Sequence, residues 1–283
     1  MQPHIVFLVL LAATFHASWN ALLKVGNDRL LTLSLLSVWS GVFAAGFVWV
    51  FGGIHIDSWF WMGITLVLHT GYKVFLLLAY RVGDLSQVYP VARGSGPMLV
   101  ALFSAPLLGE NLQWQDWLAC ALISGGILSL TFERGIPGKD QRATLLFALG
   151  TGTFIAAYTI VDAIGVRHSG NALAYSGWLF LLDAFIQPIY AVWVRGKRAT
   201  VAFLRTSWWK GLIAGGLSFS SFTMILVAMS QERNTAGVAA LRETSVILAA
   251  VIGTLVLGEA FGRWRLFAAL LIAAGIIGFN VPR

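Results

Sequence analysis

The sequence predicts an all-α integral membrane protein with ten transmembrane helices, arranged as two inverted five-helix repeats around a central cavity. Composition is the first reason: of the 283 residues, 58% are hydrophobic and only 11% are charged, whereas a soluble domain carries about 25% charged residues. The mean hydropathy of +0.80 agrees with this. The second reason is a series of apolar runs long enough to cross a bilayer, and the third is a duplication within the chain.

Ten segments meet the length requirement for a transmembrane helix, which is about 20 mostly apolar residues for a hydrocarbon core of about 30 Å. In chain order they are 4–24, 30–51, 57–80, 86–108, 114–132, 142–165, 171–194, 208–231, 235–257 and 263–281. The gaps between them are too short to hold a soluble domain. We therefore divide the chain into a first repeat over 1–133, a connecting loop over 134–141 and a second repeat over 142–283.

The duplication appears when the chain is shifted on itself by 149 residues. Ala79–Ile127 then falls on Ala228–Ile276, and Arg93 meets Arg242. Because five helices per repeat is an odd number, the second copy enters the membrane from the opposite face, which puts equivalent residues at mirrored depths. Each arginine is the eighth residue of its span, or about 10 Å deep. Both guanidinium groups are therefore expected near the middle of the membrane.

A charge inside a spanning helix costs at least about 2.5–3.5 kcal/mol, so each arginine needs a compensating group. One interpretation is that Arg93 and Arg242 line the cavity and bind an anion, because the guanidinium group matches carboxylate or phosphonate through paired hydrogen bonds. The other interpretation is a structural ion pair, with Glu243 or Asp183 as partner, or snorkelling to the nearer interface. Tyr89 lies one turn before Arg93 on the same face and is a further candidate for the cavity.

Proline and glycine surround the arginine of the fourth span. Pro90 and Pro97 each remove a backbone donor, and Gly94 and Gly96 lie between them. A break of this kind is tolerated where the helix faces protein or water. The ninth span contains no proline, so the two repeats differ here, and the break is expected in the fourth helix.

The third and eighth spans place polar side chains at equivalent positions. His69 and Lys73 lie four residues apart on one helix face, with Tyr72 beside them. Under the 149-residue shift, His69 and Tyr72 meet Ser218 and Ser221. An isolated histidine is more often structural, but an intramembrane lysine on the same stripe favours a cavity lining.

The first span carries a similar stripe of His16, Asn20 and Lys24, with Trp19 alongside. A shift of 139 residues puts Tyr158 of the sixth span opposite Trp19. Two aromatic side chains at these places could enclose a ligand between them. Plain packing explains them equally.

Three acids lie inside predicted spans and away from the starts of those spans: Asp162, Asp183 and Glu243. Each could carry a coupling proton, or it could neutralise Lys73 or an arginine. The sequence leaves these two roles open. Glu110 and Glu259 end the fourth and ninth spans, where a structural role at the turn is expected.

Several motifs together resemble a known family. They are His16–Ala21 in the first span, Tyr89–Gly94 in the fourth, and the Leu-Gly-Glu triplets that end the fourth and ninth spans at 108–110 and 257–259. The chain resembles the drug/metabolite transporter superfamily, specifically its EamA group, over nearly its whole length. The resemblance implies a secondary transporter or exporter of small metabolites, amino acids or drugs. The motifs of the first and fourth spans are also similar to a subgroup found beside phosphonate-utilisation genes.

We therefore expect a multi-pass permease of a bacterial cytoplasmic membrane, whose partners are the lipid bilayer and a small organic anion or zwitterion such as an amino acid or aminophosphonate. A coupling proton or other ion is possible. The alternatives are a flippase for an anionic lipid carrier and a membrane enzyme that modifies lipids. No HExxH or nucleophile-elbow motif supports an enzyme, and no GxxxxGK[ST] loop supports ATP binding.

No cofactor and no nucleic-acid partner are predicted. The single cysteine, Cys120, excludes an internal disulfide and a thiolate metal cluster. The net charge of +7 comes from cations in short gaps between apolar runs and not from a soluble basic surface.

The orientation of the chain in the membrane stays open. Of the Lys and Arg residues in the loops, at the span ends and at the chain terminus, three lie on the face that carries the termini and thirteen lie on the other face. The positive-inside rule therefore favours both termini outside. The family is usually drawn with both termini in the cytoplasm.

Overall fold

The computed structural model describes residues 1–25, 28–82, 85–134, 142–257 and 262–279, and no strand occurs in these ranges. The helices are α1 (Pro3–Val25), α2 (Arg29–Phe51), α3 (Ile56–Val82), α4 (Leu85–Leu108), α5 (Trp114–Ser129, continued by a 3-10 turn at Leu130–Arg134), α6 (Arg142–His168), α7 (Ala172–Asp183), α8 (Ile186–Arg195), α9 (Lys197–Thr206), α10 (Trp208–Gln231), α11 (Thr235–Arg242), α12 (Thr244–Leu257) and α13 (Arg263–Phe279).

Nine segments within the described ranges are long and apolar enough to cross a membrane, which confirms the predicted all-α membrane class. The seventh, Ala172–Arg195, contains both α7 and α8, and the ninth, Thr235–Leu255, contains α11 and most of α12. The tenth predicted span corresponds to α13, which has 17 residues. The predicted count of ten is therefore approximate.

The connections alternate between two faces of the molecule. The terminal face carries the start of α1 and the connections 52–55, 109–113, 169–171 and 232–234. A backbone hydrogen bond of 3.1 Å from the His55 amide to the Ser169 carbonyl joins two of these connections. The opposite face carries α9 and the start of α10.

Polar caps and glycines set the helix ends at both faces. Asp28 caps α2, Asn171 caps α7 and Asn234 caps α11, each by accepting hydrogen bonds from backbone amides of the first turn. Gly52 and Gly170, with φ of 76° and 73°, let the chain turn after α2 and α6.

Helix packing follows a regular scheme. α3 packs on α6 and α1 packs on α10, while α4 packs on α6 and α12 packs on α1. Two further pairs, α2 with α7 and α5 with α13, stand beside them. The interior is thus built from contacts between the first half of the chain and the second half.

Glycines permit the closest of these contacts. A Cβ atom on Gly215 of α10 would lie 2.7 Å from the Cβ of Trp39 and 2.9 Å from the Leu36 carbonyl oxygen of α2. A Cβ atom on Gly275 of α13 would lie 2.7 Å from the Cγ1 of Ile123 on α5. Small residues let helix backbones approach in lipid, where dispersion contacts replace the hydrophobic effect between helices.

The break predicted for the fourth span lies in the ninth span instead. α4 continues through Pro90 and Pro97, whereas the α-helical hydrogen-bond pattern is interrupted at Glu243, between α11 and α12, where the backbone stays right-handed. The Glu243 amide bonds back to the Ala240 carbonyl at 3.0 Å, and the Thr244 hydroxyl bonds to the Leu241 carbonyl. This tightened turn, capped by a side chain, interrupts the ladder without proline.

One helix was not predicted at all. The segment expected as a loop between the seventh and eighth spans forms α9, with Lys197 and Arg198 at its start and Arg205 near its end. Its ten residues extend about 15 Å, which is too short to cross a core of about 30 Å. A search for runs of about 20 apolar residues passes over a helix of this kind.

Candidate functional site

Two arginines from opposite halves of the chain meet at one acid. Arg93 comes from α4 and Arg242 from the last turn of α11, and both contact Glu243 at the helix break. Arg93 Nε lies 2.9 Å from Glu243 Oε2, and Arg242 Nη2 lies 3.5 Å from Glu243 Oε1. Their side chains are 8%, 5% and 1% exposed, in the order Arg93, Arg242, Glu243. Two guanidinium groups and one carboxylate leave this cluster with a surplus positive charge.

The hydrogen-bonding capacity of the cluster is not used up. Among the described residues, Arg93 Nε, Arg242 Nε and Glu243 Oε2 have no hydrogen-bond partner of good geometry, although the first and last of these atoms are close. Arg93 Nη2 donates to Ser245 Oγ at a long 3.4 Å. Because a guanidinium group has five N–H donors, donors remain that an anion can accept from.

Aromatic side chains surround the cluster. Tyr89, Tyr158 and His16 all lie within electrostatic range of both guanidinium groups. Tyr158 packs against His69 with ring centroids 4.2 Å apart and the ring planes tilted by 40°, and it contacts Tyr72 edge-on at 5.9 Å. The structure therefore brings candidates from the first, third, fourth and sixth spans to one place.

The intramembrane lysine has its own acid. Lys73 Nζ donates to both carboxylate oxygens of Asp183, at 2.6 and 2.7 Å. The two side chains are 23% and 19% exposed, more than the arginine cluster. Asp183 is the last residue of α7, just before the chain bends into α8. Of the partners that the sequence allowed, Asp183 thus takes Lys73.

Asp162 of α6 is held by hydroxyl groups and an imidazole. Thr65 Oγ1 donates to Asp162 Oδ1 at 2.6 Å, and the Tyr175 hydroxyl donates to the same oxygen at 3.4 Å. His69 Nε2 lies 3.3 Å from Asp162 Oδ2. Sequence reasoning missed Thr65 and Tyr175, although Thr65 lies four residues before His69 on the same stripe. Asp162 is thereby connected through His69 to the Tyr158 ring.

Other predicted candidates take part in helix contacts. Asn20 Nδ2 donates to the His16 carbonyl at 2.8 Å, and the Ser221 hydroxyl donates to the Ala12 carbonyl at 2.7 Å, which ties α10 to α1. Trp19 packs edge-on against His16, with ring centroids 5.0 Å apart.

Three further candidates complete the account. Ser218 is half-buried on α10. The Lys24 side chain and Glu259 lie outside the described part of the chain.

A second polar network closes the terminal face. Glu110, 6% exposed, accepts hydrogen bonds from the Thr235 amide at 3.0 and 3.1 Å and from the Thr235 hydroxyl at 2.5 Å. Arg167 at the end of α6 donates to Glu110 at 3.1 Å and to the Met229 carbonyl at 3.0 Å. The acid of the Leu-Gly-Glu triplet thus caps α11, the helix that carries Arg242. Sequence reasoning did not identify Arg167.

Comparisons with known proteins agree with this architecture. One solved structure, titled "Crystal structure of protein", matches with a TM-score of 0.73 and 17% identity, over 98% of this chain and 95% of that one. That likeness shows the fold alone. No curated protein matches the sequence. Residues 142–281 match the model of the EamA-like transporter family. The chain therefore belongs to the EamA-like transporter family and is a multi-pass membrane permease of the drug/metabolite transporter type.

Proposed function

We propose that this protein is a secondary transporter that moves a small organic anion or zwitterion, such as an amino acid or aminophosphonate, across a bacterial cytoplasmic membrane. The observation that carries the proposal is the meeting of Arg93 and Arg242 at one acid, Glu243. A surplus charge with unused donors, deep in a membrane protein, is costly unless an anion completes it.

Alternating access between two inverted repeats is part of this proposal. The packing scheme supports it, because the contact of α3 with α6 has its counterpart in the contact of α10 with α1. The contacts of α2 with α7 and of α5 with α13 join spans of the same rank in the two halves, the second with the seventh and the fifth with the tenth. An exchange of the two halves therefore preserves the set of neighbours, as rocking of one repeat against the other requires.

Within the proposed site, the cationic and acidic residues contact different groups of the substrate. The substrate carboxylate or phosphonate accepts from Arg93 and Arg242 in competition with Glu243. The ammonium group of a zwitterion takes the Glu243 carboxylate that is released and the face of Tyr158. Lys73 and Asp183 neutralise each other beside this site, so they adjust its shape and hydration more than its net charge.

The proposal is tested by a thermal-shift screen of the purified protein with amino acids, organic acids and phosphonates at constant ionic strength. At a ligand concentration of 100 Kd, a true substrate raises Tm by about 5–10 °C, and amines that lack the anionic group do not. Stabilisation by an anionic lipid carrier alone favours the flippase, and turnover of a lipid favours the enzyme. If no soluble anion raises Tm, the proposal is wrong.

Asp162 is the best candidate for the coupling group, because Asp183 and Glu243 are each paired with a lysine or arginine. We expect Asp162→Asn to keep substrate exchange in proteoliposomes and to lose accumulation driven by a proton or cation gradient. Asp57→Asn, which changes an acid 68% exposed on α3, is the matched control and should behave as the parent. Full gradient-driven accumulation by the Asp162 variant would contradict this assignment.

A further inference from the structure

The segment between the seventh and eighth spans is strongly basic. Residues 195–210 contain five cations and no acid, and they include the adjacent tryptophans Trp208 and Trp209. The cations are Arg195, Lys197, Arg198, Arg205 and Lys210. Clustered lysine and arginine next to a membrane-spanning helix attract anionic lipid head groups, and tryptophan prefers the head-group region.

α9 presents these cations in an ordered way. Arg198 and Arg205 are seven residues apart, so they lie on one stripe of the helix, two turns from each other, and both are exposed. Val201, Phe203 and Leu204 are partly covered, and the helix packs on α8, α2 and α10. A short helix that is basic on one side and apolar on the other lies in the plane of the interface.

An apolar groove opens beside this helix. It has a volume of about 400 Å³ and is lined by Leu35, Val38, Trp39 and Val42 of α2, Leu204 and Arg205 of α9, and Trp208 of α10. The α2 residues cover about 10 Å of helix, running from the opposite face toward the membrane interior. Arg205 is the charged member of this lining and sits at its interfacial end.

We propose that this groove binds an anionic glycerophospholipid, with one acyl chain along α2 and the phosphate held by Arg205 and Arg198. The apolar lining suits a hydrocarbon chain, and the stripe of cations at the interfacial end is complementary to the phosphate. The site is separate from the Arg93 and Arg242 cluster, and it stands whether or not the proposed substrate is correct.

The neighbouring cations are not equivalent. Arg195 Nε lies 2.8 Å from Asp28 Oδ2, so its charge is already matched. Burial raises the pKa of Asp28, but hydrogen bonds from the Leu31 amide and from Arg195 outweigh it and hold that pKa below its ordinary value. The ion pair therefore persists at neutral pH, and the cations of α9 are the ones available to the lipid head group. Lys210 lies beside the Trp209 ring, 5.5 Å from its centroid.

Native mass spectrometry of the delipidated protein in a neutral detergent tests the site, with phosphatidylglycerol and phosphatidylcholine of identical acyl chains as the two probes. We expect the parent to bind phosphatidylglycerol preferentially. Since each interfacial cation contributes about 1 kcal/mol to the attraction of a net negative charge, the Arg198→Gln/Arg205→Gln variant should bind phosphatidylglycerol about 30-fold more weakly. Phosphatidylcholine, whose ammonium group neutralises its phosphate, should lose much less. Arg263→Gln, an exposed arginine outside α9, is the matched control.

Val38→Phe tests the groove independently of charge, because its larger side chain fills the acyl-chain position. It should weaken phosphatidylglycerol binding while the stripe of cations is intact. Equal binding of the two lipids by the parent, or equal effects of the α9 variant and its control, overturns the proposal. Unchanged binding by Val38→Phe overturns the assignment of the groove.

Discussion

Replacing Arg93 by methionine is expected to weaken anion binding at least about 30-fold while the protein still folds. The cluster of Arg93, Arg242 and Glu243 carries one surplus charge, so loss of one arginine leaves a neutral pair of Arg242 and Glu243, 3.5 Å apart. No charge is stranded, yet the charge that attracts the substrate is gone. Removing one partner of a buried charged contact costs about 2–5 kcal/mol of binding, or at least about 30-fold in Kd. Binding and proteoliposome uptake measure this directly.

Two companion variants make this result specific. Arg242→Met should reproduce it, because the same neutral pair remains with Arg93. Arg233→Met, which changes an exposed arginine on the terminal face, should bind and transport as the parent does. Wild-type uptake by both single variants of the cluster would show that the arginines serve only as structural ion pairs.

Glu243→Gln is expected to destabilise the protein and, unlike the arginine variants, to increase its stabilisation by a substrate anion. Two buried guanidinium groups then lack a carboxylate, which should lower the free energy of unfolding by about 3–5 kcal/mol. A substrate anion supplies the missing charge, so the rise in Tm with substrate should be larger in this variant than in the parent. A smaller rise would mean that Glu243, and not the arginines, is the main contact of the substrate.

Glu110→Ala is expected to cause the largest loss of stability of the variants considered. It leaves the partly buried Arg167 without its carboxylate, which costs about 3–5 kcal/mol, and it removes the cap of α11, which contributes about 0.5–2 kcal/mol. The midpoint of thermal unfolding in detergent measures the change. The unfolding temperature of Glu110→Gln should lie between those of the parent and of Glu110→Ala, because its amide oxygen still accepts from Thr235 but no longer carries a charge.

The matched control for Glu110 is Glu133→Ala. Glu133 contacts Arg265 at 3.6 Å, but its side chain is 34% exposed, and exposed pairs contribute about 0–1 kcal/mol. Similar unfolding temperatures for Glu110→Ala and Glu133→Ala would contradict the closing role of the network on the terminal face.

The membrane class could be predicted because it depends on the length and apolarity of segments, which the sequence states directly. The position of Arg93 and Arg242 near the middle of the membrane could also be anticipated, since residues at mirrored depths in two oppositely directed helices lie at similar distances from the midplane. Both inferences use only spacing along the chain and the thickness of the bilayer.

The partners of the charged residues could not be predicted in the same way. Which acid meets which partner depends on how each helix is rotated about its axis and packed against its neighbours. This holds for Asp183 with Lys73, and for Asp162 with Thr65, His69 and Tyr175. No local pattern encodes that rotation.

The interruption of the ninth span could not be predicted because it contains no proline. It is instead a tightened turn in which the Thr244 hydroxyl donates to the Leu241 carbonyl. The tolerance of α4 for Pro90 and Pro97 has the converse reason: neighbouring helices hold the backbone in place where the ladder is weakened. α9 was missed because its polar face lowers its mean hydropathy below that of a spanning segment.

The position of that interruption links mechanics to electrostatics. The acid shared by the two guanidinium groups is itself the residue at which α11 and α12 join, so any change in the angle between these rods displaces the carboxylate from Arg93. Arg242, at the end of the first rod, moves with α11, whose other end is anchored to Glu110. If this joint bends, the positive charge of Arg93 gains or loses its partner, so in the proposed site the binding of an anion would be linked to the angle between α11 and α12.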